Sequence, residues 1–194
     1  MRIIGGKFKG LKLASTNTKD SKNAEFLIRP TSDRAKETLF NIIQNSFKLR
    51  VEDSSFLDCF SGSGSIGIEA LSRGSKCVYF IDKEKSSCQV LKKNLILLSK
   101  KNQMGKTDLN IYNKDFFDKN LFLGKKFDFI YLDPPYRKFL IDDLIQRLKR
   151  LNVLKTNSLI ILESSLKEVS VSGLKLLDRR RIGKTFISFF RFSH

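Results

Sequence analysis

Histidine is almost absent from this 194-residue chain, and the only one is His194. A single imidazole leaves no basis for a histidine metal centre or a serine–histidine relay, so no metal is expected. Cysteine is scarce too. Cys59, Cys77 and Cys88 are odd in number, lack CxxC spacing and sit in or near apolar segments. They read as small buried hydrophobes in a reducing compartment. No apolar run approaches the roughly 20 residues of a membrane-spanning helix, so no membrane partner is expected. The first 19 residues are basic and lack acids, as in a transit peptide, but Gly5, Gly6 and Gly10 break any amphipathic helix there. A cytoplasmic protein is the expectation.

Acidic residues are in deficit. Twenty Asp+Glu stand against 37 Lys+Arg, for a net charge of +17. Such an excess attracts phosphate polyanions and governs steering rather than fold. It is also uneven. Residues 1–50 hold eleven Lys/Arg against four acids, and residues 173–194 hold six against Asp178 alone. A uniform compositional bias would not produce two basic ends around a balanced centre, so a nucleic-acid surface built from both ends is expected.

The length suits one domain with a substantial core. Residues 2–14 alternate loosely around glycines and predict a short hairpin, followed by a polar, mobile loop over 15–28. Arg29-Pro30-Thr31-Ser32 reads as a helix entry capped by Thr31 or Ser32, and Ala35, Leu39, Ile42, Ile43 and Phe47 follow at helical spacing. Strand-length apolar runs then occur at 56–60, 77–81, 109–112, 127–132 and 158–162. Helical candidates at 65–73, 84–101 and 138–151 lie between them. This alternation predicts an α/β fold with a doubly wound, Rossmann-like, mostly parallel sheet. Runs at 174–177 and 185–192 have no helix between them, only 178–184, so the chain should close with a hairpin and one antiparallel strand. The organisation expected is a single domain over 1–194, with a basic N-terminal extension (1–50) ahead of a Rossmann-like catalytic core (51–194).

Proline is rare as well, yet two of the three are adjacent. Phe127-Asp-Phe-Ile-Tyr-Leu-Asp-Pro-Pro-Tyr136 runs a buried strand into a carboxylate, a diproline and an aromatic ring. Neither proline can donate a backbone hydrogen bond, so the pair ends the strand in a stiff turn. The Asp133 carboxylate and the Pro134 carbonyl are then presented as acceptors beside the face of Tyr136, with Pro135 holding the turn. That arrangement suits a flat ring with an exocyclic amine, or an amide.

Upstream, Gly62, Gly64 and Gly67 fit GxGxxG after the first strand, and Asp82 ends the next strand about 20 residues on. Gly64 is expected to let a ligand approach the backbone. Asp82 is placed to accept ribose hydroxyls. Asp58, at the end of the first strand, would repel a pyrophosphate lying there, which disfavours a nicotinamide dinucleotide. The same carboxylate suits an ammonium and a sulfonium, and S-adenosylmethionine carries both. Ser61, Gly62, Ser63, Gly64, Gly67, Asp82 and Lys83 are the candidates for holding it. Asp115 and Phe116, after the third strand, either accept the adenine amine and pack on its ring, or cap a helix and fill the core. Asp58, Asp82, Asp115 and Asp133 each fall at a strand's carboxyl end, where open α/β sheets bind ligands.

At these residues the chain resembles class I S-adenosylmethionine-dependent methyltransferases, and more narrowly the bacterial RsmD family. The residues that carry the likeness are Arg2-Ile-Ile-Gly-Gly-Lys-Phe-Lys-Gly10, Arg29-Pro-Thr-Ser-Asp-Arg-Ala-Lys-Glu-Thr-Leu-Phe-Asn41, the 57–74 loop and helix, and Asp133-Pro-Pro-Tyr136. It implies a seven-stranded sheet with the last strand antiparallel, and methylation of a guanine N2 amine in 16S ribosomal RNA of the small ribosomal subunit. Asp82 departs from the glutamate commoner at that position. Asp133 and Pro134 would accept the amine's two N–H bonds while Tyr136 stacks on the base. Lys7, Lys9, Lys12, Arg29, Arg34, Arg179, Arg180 and Arg181 would grip phosphates around the pocket, and the protein is expected to act as a monomer. The rival readings are an adenine-N6 methyltransferase and a non-catalytic RNA-binding module.

Overall fold

The computed structural model of the chain describes residues 1–15, 32–101, 105–135, 140–166, 171 and 173–192. Arg29, Thr31 and Tyr136, and most of the loop expected over 15–28, lie outside the described residues.

Seven strands form one sheet: β1 (Ser55–Cys59), β2 (Cys77–Ile81), β3 (Asp108–Tyr112), β4 (Phe127–Leu132), β5 (Leu154–Ser164), β6 (Leu174–Ile182) and β7 (Thr185–Phe192). Their order is β3-β2-β1-β4-β5-β7-β6. The first five are parallel neighbours, and β7 runs antiparallel to both β5 and β6. β1 and β2 are buried at every residue, because helices or connecting chain cover both sheet faces. The helices are α1 (Asp33–Asn41), α2 (Ser65–Ser72), α3 (Lys85–Ser99) and α4 (Ile141–Arg150). Residues of α1, α2 and α3 pack with Phe56, Phe80, Phe129, Tyr131 and Ile161 on one face. Those of α4 pack with Leu57, Ile81, Ile130 and Leu162 on the other. The crossovers therefore change face at the boundary between β1 and β4, the switch point of a doubly wound sheet.

The closing hairpin differs from its expectation in extent. Residues 178–182 belong to β6, and Arg179, Arg180 and Arg181 pair with Ser188, Ile187 and Phe186. Only Gly183 and Lys184 are left to make the turn. A charged run can be a strand here because β6 is an edge, with one side and much of its surface in water.

Ser32 caps α1 by accepting from the Ala35 amide at 3.1 Å. The apolar stripe of α1 faces the core and continues through a π-helical turn (Ile42–Ser46). Lys36 is buried in that stripe, against the rule for charged residues. Its ammonium donates to the Arg2 carbonyl and lies 3.2 Å from an Asp33 carboxylate oxygen.

The N-terminal segment is bridged antiparallel at Arg2 and Lys12, and sends Ile3, Phe8 and Leu13 into the core shared with α1 and α2. The Ile4 amide donates to Glu69 at 2.9 Å, and the Phe8 amide to the Ser72 hydroxyl at 3.0 Å. Farther along, Asn94 of α3 accepts from the Ala14 amide at 2.8 Å and donates to the carbonyls of Ala14 and Ser63. This buried amide joins the N-terminal segment to the glycine loop. Asn94→Ala leaves those main-chain groups unpaired, and urea denaturation is expected to show a loss of about 1–3 kcal/mol.

Candidate active site

Register decides what meets at the carboxyl end of the sheet. Asp58 pairs with Phe80 and with Tyr131, and Tyr131 pairs with Ile161. Because side chains alternate, Asp58, Asp82, Tyr131, Asp133 and Glu163 all belong to the same face of four adjacent strands. The structure thus brings together three acids expected from the sequence and adds Glu163 and Tyr131, which sequence reasoning missed. The signal for Glu163 was available: a charge that ends the apolar run Leu159–Leu162, just as aspartates end the preceding strands.

Asp58 is 2% exposed, and one of its oxygens accepts from the Gly67 amide in the first turn of α2 at 2.8 Å. Burial pushes its carboxyl up to about 8, with the Asp82 charge adding to the effect. Asp82 accepts from the Gly62 amide at 2.7 Å and from the Glu84 amide at 2.8 Å. It too is raised, chiefly by burial. One bond to each Asp82 oxygen leaves lone pairs for a diol. The Ser61 hydroxyl has no hydrogen-bond partner among the described residues.

Gly64 has a packing role beside the one expected. At φ 80° it is left-handed, and an added Cβ would lie 2.2 Å from Leu91 of α3. Its lack of a side chain lets the loop pack on α3. At Gly67 a Cβ would meet the Phe80 ring at 2.3 Å. Ser63 is buried, with its hydroxyl 3.8 Å from the Met1 sulfur and its carbonyl bonded to Asn94. Phe60 holds φ 60°, an unfavourable geometry for a bulky residue, at the loop's entry.

Asp115 accepts from the Phe117 amide at 2.8 Å, closing its own turn. The Phe116 ring is buried with Phe60 at 5.2 Å in the core of the second face. Of the two roles left open for this pair, turn capping and core filling are visible. Lys83 is exposed, and its carbonyl accepts from Asn113 at 2.9 Å.

Asp133 keeps part of its surface open, yet dense surroundings make burial the largest cause of a carboxyl raised well above its usual range. Glu163 and then Asp58 add to that. Glu163 accepts from the Tyr131 hydroxyl at 2.7 Å and from the Thr185 hydroxyl at 3.1 Å. Pro134 is half-buried and Pro135 exposed, at the corner.

The basic candidates separate into two groups. Lys7 belongs to a turn whose amide donates to the Ser72 carbonyl, and it lines a hollow with Glu52, Asp53 and Lys76. That is the amino end of the strands, so Lys7, and Lys9 in the same turn, are not placed around the acidic site as expected. The turn docks on the C-terminal end of α2, which points away from the acidic site. Arg34, by contrast, sits in the first turn of α1, where Asp33 pairs with Arg2 at 2.8 Å. Arg2 is in turn bridged to Lys12. Arg180 pairs with Ile187, which pairs with Glu163, so the arginines of β6 stand level with the site. Arg179 donates to the Leu166 carbonyl and stacks on Phe186 at 4.5 Å. Arg180 pairs with Asp178 at 3.0 Å, and Arg181 donates to the Gly183 carbonyl at 3.1 Å.

Among the described residues no group of three or more His, Cys, Asp or Glu could hold a metal ion, and no helix is long and apolar enough to cross a membrane.

A family model described as conserved hypothetical protein 95 matches residues 1–191. Ribosomal RNA small subunit methyltransferase D of Haemophilus influenzae is 38% identical over 164 residues, covering 84% of this chain and 78% of that protein. The protein of the same name from Escherichia coli K12 is 34% identical over 167 residues, covering 86% and 76%. The chain belongs to the RsmD family. A solved Escherichia coli structure named "Putative methyltransferase yhhF" is 29% identical, covers 100% of this chain and 98% of its own, and superimposes with a TM-score of 0.79. Membership implies S-adenosylmethionine as the cofactor. The residues present fit it: a desolvated Asp58 with no cation bonded to it among the described residues, and Asp82 with acceptor capacity to spare.

The raised carboxyl of Asp58 makes the stability of this RsmD-family chain depend on pH. Its proton is held more tightly in the folded chain (about 8) than at the ordinary 3.8. The stabilisation this gives is complete below about pH 4 and is lost as pH rises toward 8. Asp58→Asn keeps an acceptor for the Gly67 amide without the charge. In urea titrations of ligand-free protein it is expected to stabilise by about 2–5 kcal/mol at pH 8 and by little at pH 4. The same variant should lose cofactor binding in calorimetry.

Proposed function

We propose that this chain transfers a methyl group from S-adenosylmethionine to the exocyclic N2 amine of a guanine in 16S ribosomal RNA of the small subunit. The observation that carries the reading is the placement of Asp58 and Asp133 on one face of neighbouring strands at the switch point, with the diproline corner beside them. Asp58, Asp82 and the loop 61–67 would hold the cofactor, with Lys83, Asp115 and Phe116 bordering the same strand ends. When bound, the cofactor supplies an electrophilic methyl carbon on a sulfonium.

An aryl amine is a poor nucleophile because its lone pair is delocalised into the ring. The Asp133 carboxylate and the Pro134 carbonyl accept its two N–H bonds, which favours a pyramidal nitrogen and aims the lone pair. The amine N–H arriving at Asp133 also favours its ionised form. Having a raised proton affinity, Asp133 is suited to keep the proton that the nitrogen sheds. Tyr136 stacks on the base, worth roughly 1–3 kcal/mol. Orientation and electrostatic stabilisation supply the acceleration, and neither a metal nor a covalent nucleophile is called for. The target must be unstacked to reach this corner, as in an RNA loop. Lys12, Arg29, Arg34 and Arg179–Arg181 grip the flanking phosphates, and the chain works as one domain and as a monomer.

Incubation with tritiated cofactor and small-subunit particles, then nucleoside analysis, is expected to give N2-methylguanosine; N6-methyladenosine instead would overturn the reading. Asp133→Ala is expected to lower the methylation rate about 100-fold or more while cofactor affinity holds. RNA affinity should fall steeply between 50 and 200 mM salt, by roughly a thousandfold if six phosphates are gripped.

A further inference from the structure

Glu163 has no role in the scheme above, yet it stands in the first position beside the corner. Leu162 of β5 pairs with Leu132 of β4, so Glu163 and Asp133 follow as lateral neighbours. Adjacent strands lie about 4.8 Å apart, and both side chains belong to the same face. Glu163 is also held. Tyr131 donates to one of its oxygens at 2.7 Å and Thr185 to the other at 3.1 Å. Each carboxylate oxygen thereby keeps acceptor capacity, and the side chain is half-buried, with surface left for a ligand. Two hydroxyls fixing a carboxylate next to a second carboxylate place two acceptors side by side at the strand tips.

The Watson–Crick edge of guanine presents two adjacent donors, the ring N1–H and the amine at C2. Adenine presents a donor amine beside a bare ring nitrogen, an acceptor. A second carboxylate flanking the amine-binding one therefore matches guanine and sets a lone pair against the lone pair of adenine N1. We propose that Glu163 is the specificity-determining residue for the target base, accepting the N1–H of guanine while Asp133 accepts from its amine. This rests on the reading of the site as guanine-N2 directed. Recognition of a Watson–Crick edge by side-chain acceptors is how proteins read unstacked RNA bases. A site built to take a ring N–H rejects an analogue lacking it far more strongly than an apolar pocket rejects a wrong shape. Glu163 also adds, after burial, to the raised proton affinity of the Asp133 carboxyl beside it.

The test compares small-subunit particles whose ribosomal RNA carries guanine or 2-aminopurine at the methylated position. 2-Aminopurine keeps the amine but has a bare N1. Wild-type protein is expected to prefer guanine in kcat/KM by about a hundredfold. Glu163→Gln can present an amide N–H to a bare N1, and is expected to shrink that preference at least tenfold. Cofactor affinity and melting temperature should stay at wild-type values. Tyr131→Phe, which frees Glu163 from its 2.7 Å tether, should shrink the preference in the same direction, and serves if Glu163→Gln does not fold. If either folded variant lowers both substrates in proportion and leaves the ratio unchanged, Glu163 only braces the strands and the inference falls. If wild-type protein methylates no guanine at all, the guanine-N2 reading itself falls.

Discussion

Unslipped parallel pairing of β1, β2 and β4 puts carboxylates on one face of neighbouring strand tips, and the rest of the site answers to that crowding. Asp58, Asp82 and Asp133 all hold their protons more tightly than free carboxylates, and burial is the largest cause in each. No lysine or arginine bonds to any of them among the described residues; Asp58 and Asp82 accept from the main-chain amides of Gly67, Gly62 and Glu84. A protein that wanted only stability would place a cation or an apolar side chain there. The proposed sulfonium ligand, and an amine that gains charge as it reacts, would supply the positive charge that such a cluster favours. Destabilised, preorganised groups of this kind are a recurrent cost of catalysis.

The buried centre of the fold was legible in the sequence for a physical reason. Strands covered on both faces read as unbroken apolar runs, and 77–81 and 127–132 were delimited to the residue. The charged length of β6 was not, since polarity normally marks a loop and only pairing with β7 reveals a strand. The register also slips between Leu176 and Asp178, which erases any clean alternation there. At the site, strand-end position identified the aspartates. Glu163 was lost because it follows a strand with no motif attached. Lys7 was assigned by charge alone, and charge carries no direction: only the docking of its turn on the C-terminus of α2 shows which end of the sheet it occupies.

The N-terminal fifty residues look like an appendage in composition, but the described ones, 1–15 and 32–50, pack against the sheet face that carries the acidic cluster. Ile3, Phe8, Leu13, Leu39 and Phe40 share one core with Phe80 and Tyr131. The buried ammonium of Lys36 clasps the chain at Arg2, and the Asn94 amide connects Ala14 with Ser63 of the glycine loop. Substitutions in this segment therefore act on the loop through packing as well as through any contact with RNA.

The outermost strand shows what that packing leaves open. Among the described residues, β6 ends the sheet with one row of main-chain donors and acceptors facing no further strand. Such a border invites another chain to add itself, which is how sheets grow into aggregates. Lys175, Arg179, Arg180 and Arg181 on that border would meet like charges on an arriving copy. The arginines assigned to phosphate thus have a second use, as a guard against uncontrolled polymerisation of the protein with itself.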